Sequence, residues 1–283
     1  MRELNPVLLK ELRQRFRTYR SPLVVVLYLL VLGGFSLSII YLQWRNNPYF
    51  QPGSSKEIFT IISMAQLGLL AFVVPGLTAG VISGERERQT LNVLLTTELS
   101  PLGIVVSKLI SACSFTALLL ISTLPLYSLV FMFGGLAPIQ IMGVLSFFLV
   151  AMFLFAAIGV ACSTYFKRTG ISTITTYGIV FFLVAGTGFL AAFIQELYQQ
   201  QARMAMIQLE QTPLVVMLLQ DTNPVIVMLR ILGEGATIGP GREMWLPYWG
   251  TFALTYLVLG LVLILWSGWK LNPINQYRKL FRK

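Results

Sequence analysis

The sequence predicts an all-α integral membrane protein: one domain of six transmembrane helices, with amphipathic helices outside the lipid. Three observations carry this expectation. Hydrophobic side chains make up 56% of the 283 residues and charged ones only 11%, where a soluble domain carries about 25% charged residues. Several apolar runs reach the roughly 20 residues that a hydrocarbon core requires. The lysines and arginines fall unevenly on the loops that alternate along the chain, as they do in proteins oriented by basic cytoplasmic loops.

Residues 1–21 open the chain with an expected interfacial helix. Leu4, Leu8, Leu9, Leu12, Phe16 and Tyr19 recur on one stripe, and Lys10, Arg13, Arg17 and Arg20 occupy the other face. Arg15 breaks the stripe and has to snorkel to water. Apolar burial, with about 1 kcal/mol per base from anionic lipid, holds such a helix flat on a membrane. Ser21–Pro22 then turns the chain into the first span, Pro22–Leu42. That run is long and lacks a small-residue cleavage site, so it reads as a retained anchor.

The second span is expected over Ile58–Ser83, with Pro75–Gly76 inside it. Residues 84–101, GERERQTLNVLLTTELSP, follow. This stretch is too charged for lipid, yet apolar runs flank it, so it lies outside the bilayer. Glu85, Arg86, Glu87 and Arg88 occupy its first turns, followed by Thr90, Leu91, Leu94 and Leu95 at helical spacing. Ser100 suits an N-cap and Pro101 the first position of the next helix. The expectation is one short amphipathic helix with an exposed leucine ridge. Such a ridge fits a protein groove and fits lipid headgroups equally well.

Spans three to five are expected over Leu102–Phe133, Pro138–Phe166 and Ile171–Ile194. The third run exceeds one membrane thickness and has to tilt or project, and Pro125 interrupts it. The fifth opens with Ser172, Thr173, Thr175 and Thr176 and carries Gly178, Gly186 and Gly188. Small and hydroxylated residues let helices approach closely; ordinary packing is the preferred reading, a substrate path the sharper one. Residues 195–246 form an outer segment in which Pro213–Leu219 and Pro224–Leu232 are apolar. Joined, they would make a seventh span with Asp221 at its centre, where an acid costs about 2.5–3.5 kcal/mol on insertion scales. Two short helices dipping into or lying on the outer face fit better. The sixth span is Pro247–Trp269, and residues 270–283 are a basic tail.

With six spans, one side holds both termini, residues 84–101 with nearby Lys108, and Lys167–Arg168, sixteen bases against five acids. The other side holds five bases against six acids, so both termini are expected in the cytoplasm. The net charge of +10 is thereby explained without nucleic acid.

The sequence also excludes chemistry. There is no histidine, which removes His-activated nucleophiles and His-ligated metals or haem. Cys113 and Cys162 both lie in apolar runs and support neither a disulfide framework nor a zinc site. No Gly-x-x-x-x-Gly-Lys-Ser/Thr stretch occurs, so the chain carries no ATPase motif. The centres of the spans hold no acid or base, Gln66 being the most polar exception. An ion-coupled carrier needs such groups, and an intramembrane enzyme needs a carboxylate pair or a histidine.

The run GERERQTLNVLLTTELSPLGIVVSK resembles the cytoplasmic coupling helix of ATP-binding-cassette export permeases of the type-2 family. Glu85, Arg86, Glu87, Thr90, Leu91, Leu94, Leu95 and Thr97 match the family's acid–base cluster and leucine pattern. Gln89 stands where glycine is usual, Asn92 where an acid is usual, and Glu98 where proline is common. The opening NPVLLKELRQRFR is similar to the family's N-terminal elbow helix. The resemblance implies a transmembrane subunit of an ATP-driven exporter in the plasma membrane of a prokaryotic cell. It implies that Glu85, Arg86, Glu87, Arg88, Thr90, Leu91, Leu94, Leu95 and Thr97 couple to a separate nucleotide-binding ATPase subunit, which holds ATP and Mg. Six spans are few for a path, so two permease subunits, identical or not, are expected to face each other. The family places the path near the second and fifth spans, where Gln66, Phe72, Thr175, Thr176, Tyr177 and Phe181 lie. A scaffold or sensor that borrows an ATPase to signal would use the same linker.

Overall fold

The computed structural model describes residues 20–46, 52–91, 100–132, 138–205, 213–233 and 247–272, together with Glu11, Arg13 and Arg17. Among these, every regular element is helical. The long helices are α1 (Arg20–Asn46) and α2 (Pro52–Thr78), then, after the short α3 (Ser83–Glu87), α4 (Pro101–Ser122) and α5 (Leu124–Met132). They continue with α6 (Pro138–Tyr165), α7 (Thr169–Phe181), a π turn (Phe182–Gly186) and α8 (Thr187–Ala205). Two short helices, α9 (Leu214–Thr222) and α10 (Pro224–Ile231), precede α11 (Tyr248–Leu271). Six stretches are long and apolar enough to cross a membrane, and the protein is an all-α integral membrane protein.

The fourth span, α6, is the hub. It packs on α2, α4, α7, α10 and α11, and its second half from Leu154 to Thr164 is buried throughout. Phe59, Phe148, Phe155 and Tyr256 are the largest side chains in the interior around it. Glycines set the closest approaches. A Cβ on Gly159 would stand 1.9 Å from the Thr78 hydroxyl, and one on Gly260 would stand 2.4 Å from the Phe153 ring. The first and fifth spans are the least covered, with 17% and 11% of their most apolar stretches buried.

The third run is interrupted beside Pro125, as expected: α4 ends at Ser122 and α5 begins at Leu124. Pro125 has no N–H to return to the preceding turn, and Thr123 instead bonds back through its hydroxyl to the Leu120 carbonyl at 2.7 Å. Phe133 itself lies outside the described residues. The fifth span starts at Thr169 and runs to Met204, 36 residues instead of stopping at Ile194. Residues 195–205 are polar but contain no helix breaker, so hydropathy falls there while helix propensity does not. At about 1.5 Å per residue this rod is some 54 Å long and outreaches the hydrocarbon. The linker after the second span is not one helix either, as described below.

The apolar pair in residues 213–232 resolves as α9 and α10, bent by 81° at Asn223. Helices of nine and eight residues meeting at that angle reach only about 20 Å end to end, short of the roughly 30 Å core. They form a hairpin and not a seventh span. Asn223 fixes the bend. Its Oδ1 accepts from the Val225 and Ile226 amides at 2.9 Å each, an N-cap. Its Nδ2 donates to the Val184 carbonyl in the π turn and to Thr187, both at 2.8 Å. Arg230 pairs with Asp221 and donates to Gln220 at 2.6 Å, and Gln220 donates to Gln195 of α8 at 2.9 Å. This buried ion pair answers the question that Asp221 raises in an apolar stretch.

Candidate functional site

The described part of the 84–101 linker is built onto the far end of the spans from that hairpin. After α2 the chain turns over Ala79–Ile82, and this turn is fastened at every step. The Ser172 hydroxyl donates to the Ala79 carbonyl at 2.6 Å, and the Ile82 and Ser83 amides both donate to the Ser163 hydroxyl, at 2.8 and 2.9 Å. A Cβ on Gly80 would meet the Thr169 methyl at 3.0 Å, so the turn lies directly against α7.

The charged cluster then distributes itself over three neighbours. Glu85 pairs with Lys108 of α4, whose side chain is 3% exposed. The same amine also reaches Glu11 at 2.9 Å, joining the N-terminal segment to the linker. Arg86 donates to the Phe166 carbonyl at 3.0 Å and the Thr164 carbonyl at 3.3 Å. It thereby satisfies the last carbonyls of α6 with a cation at the helix C-terminus. Glu87 does the converse at the next helix. Its carboxylate accepts from the Thr169 amide at 2.7 Å and the Thr169 hydroxyl at 2.8 Å, at an α7 N-terminus whose own N-cap residue, Arg168, offers no side-chain bond. The bonds from Thr169, first the amide and then the hydroxyl, with the Arg168 charge, hold the Glu87 carboxyl below the usual carboxylate range.

The helix ends in a Schellman motif. The Gln89 amide bonds to the Arg86 carbonyl and the Thr90 amide to the Glu85 carbonyl, at 3.1 and 3.0 Å. Gln89 adopts φ +57°, in the left-handed region. Glycine is the ordinary occupant of that position, and here a glutamine takes it. The expected single helix is therefore broken at Gln89. Leu91 is buried in the main core and does not contribute to an exposed ridge. Leu94, Leu95 and Thr97 lie outside the described residues. Arg88, Gln89 and Thr90 form the exposed edge.

The residues considered for a substrate path separate into two groups. Gln66 is fully buried; it accepts a bond from Tyr127 and donates to Thr123 at 3.1 Å. Thr176 is buried and returns to the Ser172 carbonyl, while Thr175 returns to Ile171. Phe72, Tyr177 and Phe181 instead lie toward the uncovered face of the second and fifth spans. Phe72 and Phe181 are among the exposed large hydrophobics. Tyr177 donates to the Phe72 carbonyl at 2.9 Å, with ring centroids 5.5 Å apart. Gly76 makes that approach possible, since a Cβ there would be 2.8 Å from the Tyr177 oxygen.

A family described as "ABC-2 family transporter protein" matches residues 6–267. The chain belongs to this family. It is thus a membrane permease component of an ABC system and not its ATPase. No curated protein matches it. Sequence reasoning missed Lys108, Ser163 and Thr169 as partners of the linker. A lone lysine seven residues into an apolar span was the available signal for the first. The other two are unremarkable polar residues about 80 positions away from their partners.

Proposed function

We infer that the chain is the transmembrane subunit of an ATP-driven exporter, coupled through residues 84–101 to a separate nucleotide-binding subunit. The observation that supports this best is the fastening of the linker. Glu85, Arg86 and Glu87 tie it respectively to α4, to the end of α6 and to the start of α7. A force applied at the exposed Arg88–Thr90 edge would reach spans three, four and five together. ATP and Mg belong to the partner, because this chain has no phosphate-binding loop. The charge asymmetry supports a plasma-membrane orientation with both termini and the linker in the cytoplasm, in a prokaryotic cell. A second permease subunit, identical or related, would cover the exposed face carrying Phe72, Tyr177 and Phe181 and complete the path.

The test is reconstitution of the chain with the ATPase that co-purifies with it, reading solute flux across liposomes. Flux should require ATP and the partner. Arg88→Glu and Leu94→Asp should lower it at least ten-fold without reducing membrane insertion. Flux by this chain alone, or labelling of residues 84–100 from the external face, overturns the assignment. ATP hydrolysis with no flux of any solute would instead favour a signalling scaffold.

A further inference from the structure

At the hairpin end of the molecule a cavity of about 730 Å³ opens between the first turns of α6, the helix α10 and the first turns of α11. That volume is within the roughly 300–1,000 Å³ of small-molecule sites. Its walls are apolar and aromatic, with Phe147, Val227, Tyr248 and Phe252 among them, and among the described residues no charged side chain lines it. Its rim carries Ile139, Met142 and Trp249, which are 76%, 65% and 59% exposed.

We propose that this cavity holds one acyl chain of a membrane phospholipid, in the leaflet on the hairpin side. Its depth argues for this occupant. The lining follows α6 from Ile139 to Val150, eleven steps or about 16 Å along the helix axis, close to the half-thickness of about 15 Å of a hydrocarbon core. Its surroundings argue the same. The neighbouring outward residues Leu149, Leu254 and Leu257 are exposed apolar side chains of two spans, so the mouth faces hydrocarbon and not water. At that depth acyl chains are the solvent, and an open apolar void forfeits its dispersion contacts unless a chain fills it. The interior charge is already neutralised. Arg230, 5.9 Å from the Tyr248 ring centroid, is paired with Asp221. Gln140 and Trp249 lie at the end where a headgroup would emerge.

The test is photo-cross-linking of the full chain in lipid nanodiscs doped with a phosphatidylcholine that carries a diazirine in its acyl chain. Adducts should concentrate on residues 139–150 and 248–253 and saturate at one lipid per chain. Elsewhere on the exposed spans, adducts should rise in proportion to probe. Ser146→Phe with Ala253→Phe fills the cavity and should cut those adducts at least ten-fold. Leu257→Phe, on the same helix but outside the lining, should leave them unchanged. Because the double substitution can disturb folding, the wild-type saturation curve decides independently: a linear rise at residues 139–150, matching the exposed face of α1, overturns the proposal. So does the absence of lipid adducts there, the result expected if a second copy or another stretch of this chain fills the cavity. Neither outcome depends on an ATPase partner.

Discussion

Lys108 is a single cation with two carboxylate partners, and its side chain is almost wholly buried while those of Glu11 and Glu85 keep about a fifth to a quarter of their surface. Removing the amine leaves two acids facing each other with no counter-charge. Breaking a buried pair from one side costs about 3–5 kcal/mol, and partial exposure of the acids places Lys108→Met at the low end, about 3 kcal/mol. Glu85→Gln and Glu11→Gln should each cost less, since Lys108 retains one partner. Denaturant unfolding in mixed micelles compares the three. Glu87 makes a pH-dependent contribution of known sign. Its carboxyl titrates lower in the folded protein than in the unfolded chain, so its stabilisation is complete above the ordinary carboxylate pKa of about 4.3. It is lost as pH falls through the depressed value. The Thr169 amide should therefore exchange more slowly in wild type than in Glu87→Gln at neutral pH, and the difference should vanish in acid.

At the scale of elements, Asn223 does two tasks with one side chain, capping α10 and holding the π turn of span five. Loss of an N-cap costs about 1 kcal/mol, and a carbonyl left unpaired adds about 1–3 kcal/mol. Asn223→Ala should accordingly speed hydrogen exchange across both α10 and the turn at Phe182–Gly186, while α6 keeps its protection. Six spans, the hairpin and the N-cap at Ser100, whose hydroxyl accepts from the Gly103 amide at 3.1 Å, were legible in the sequence. Apolar run length and capping chemistry are local, and local signals survive in a string of letters. The extension of span five to Met204 was not legible, because hydropathy reports what lipid accepts and not where a helix stops. The break at Gln89 was half legible: glutamine replacing a usual glycine marked the position, but not the left-handed geometry. The roles of Glu85, Arg86 and Glu87 depended on Lys108, Phe166 and Thr169, which folding alone brings close.

For the whole molecule, the uneven covering of the spans is the most informative property. The second half of span four is enclosed, while only 17% and 11% of the most apolar stretches of spans one and five are buried. Lipid can solvate both. The second-permease reading singles out span five, because Phe72 and Tyr177 extend its face onto span two. With Cys113 and Cys162 replaced by alanine, Phe181→Cys should form a disulfide with a cysteine at the matching site of the second subunit in native membranes. Leu265→Cys, at another exposed apolar position on span six, should not.

The π turn at Phe182–Gly186 means that span five carries one surplus residue relative to a continuous α-helix. Deleting Ala185 should relax the turn to regular helix and keep Gln195 pointing at Gln220. Deleting Ala192 instead would swing everything beyond it by about 100° and sever that bond. Unfolding temperatures of the two shortened chains should differ accordingly. The bulge thus makes this rod tolerant of shortening at one place along its length, and intolerant nearby.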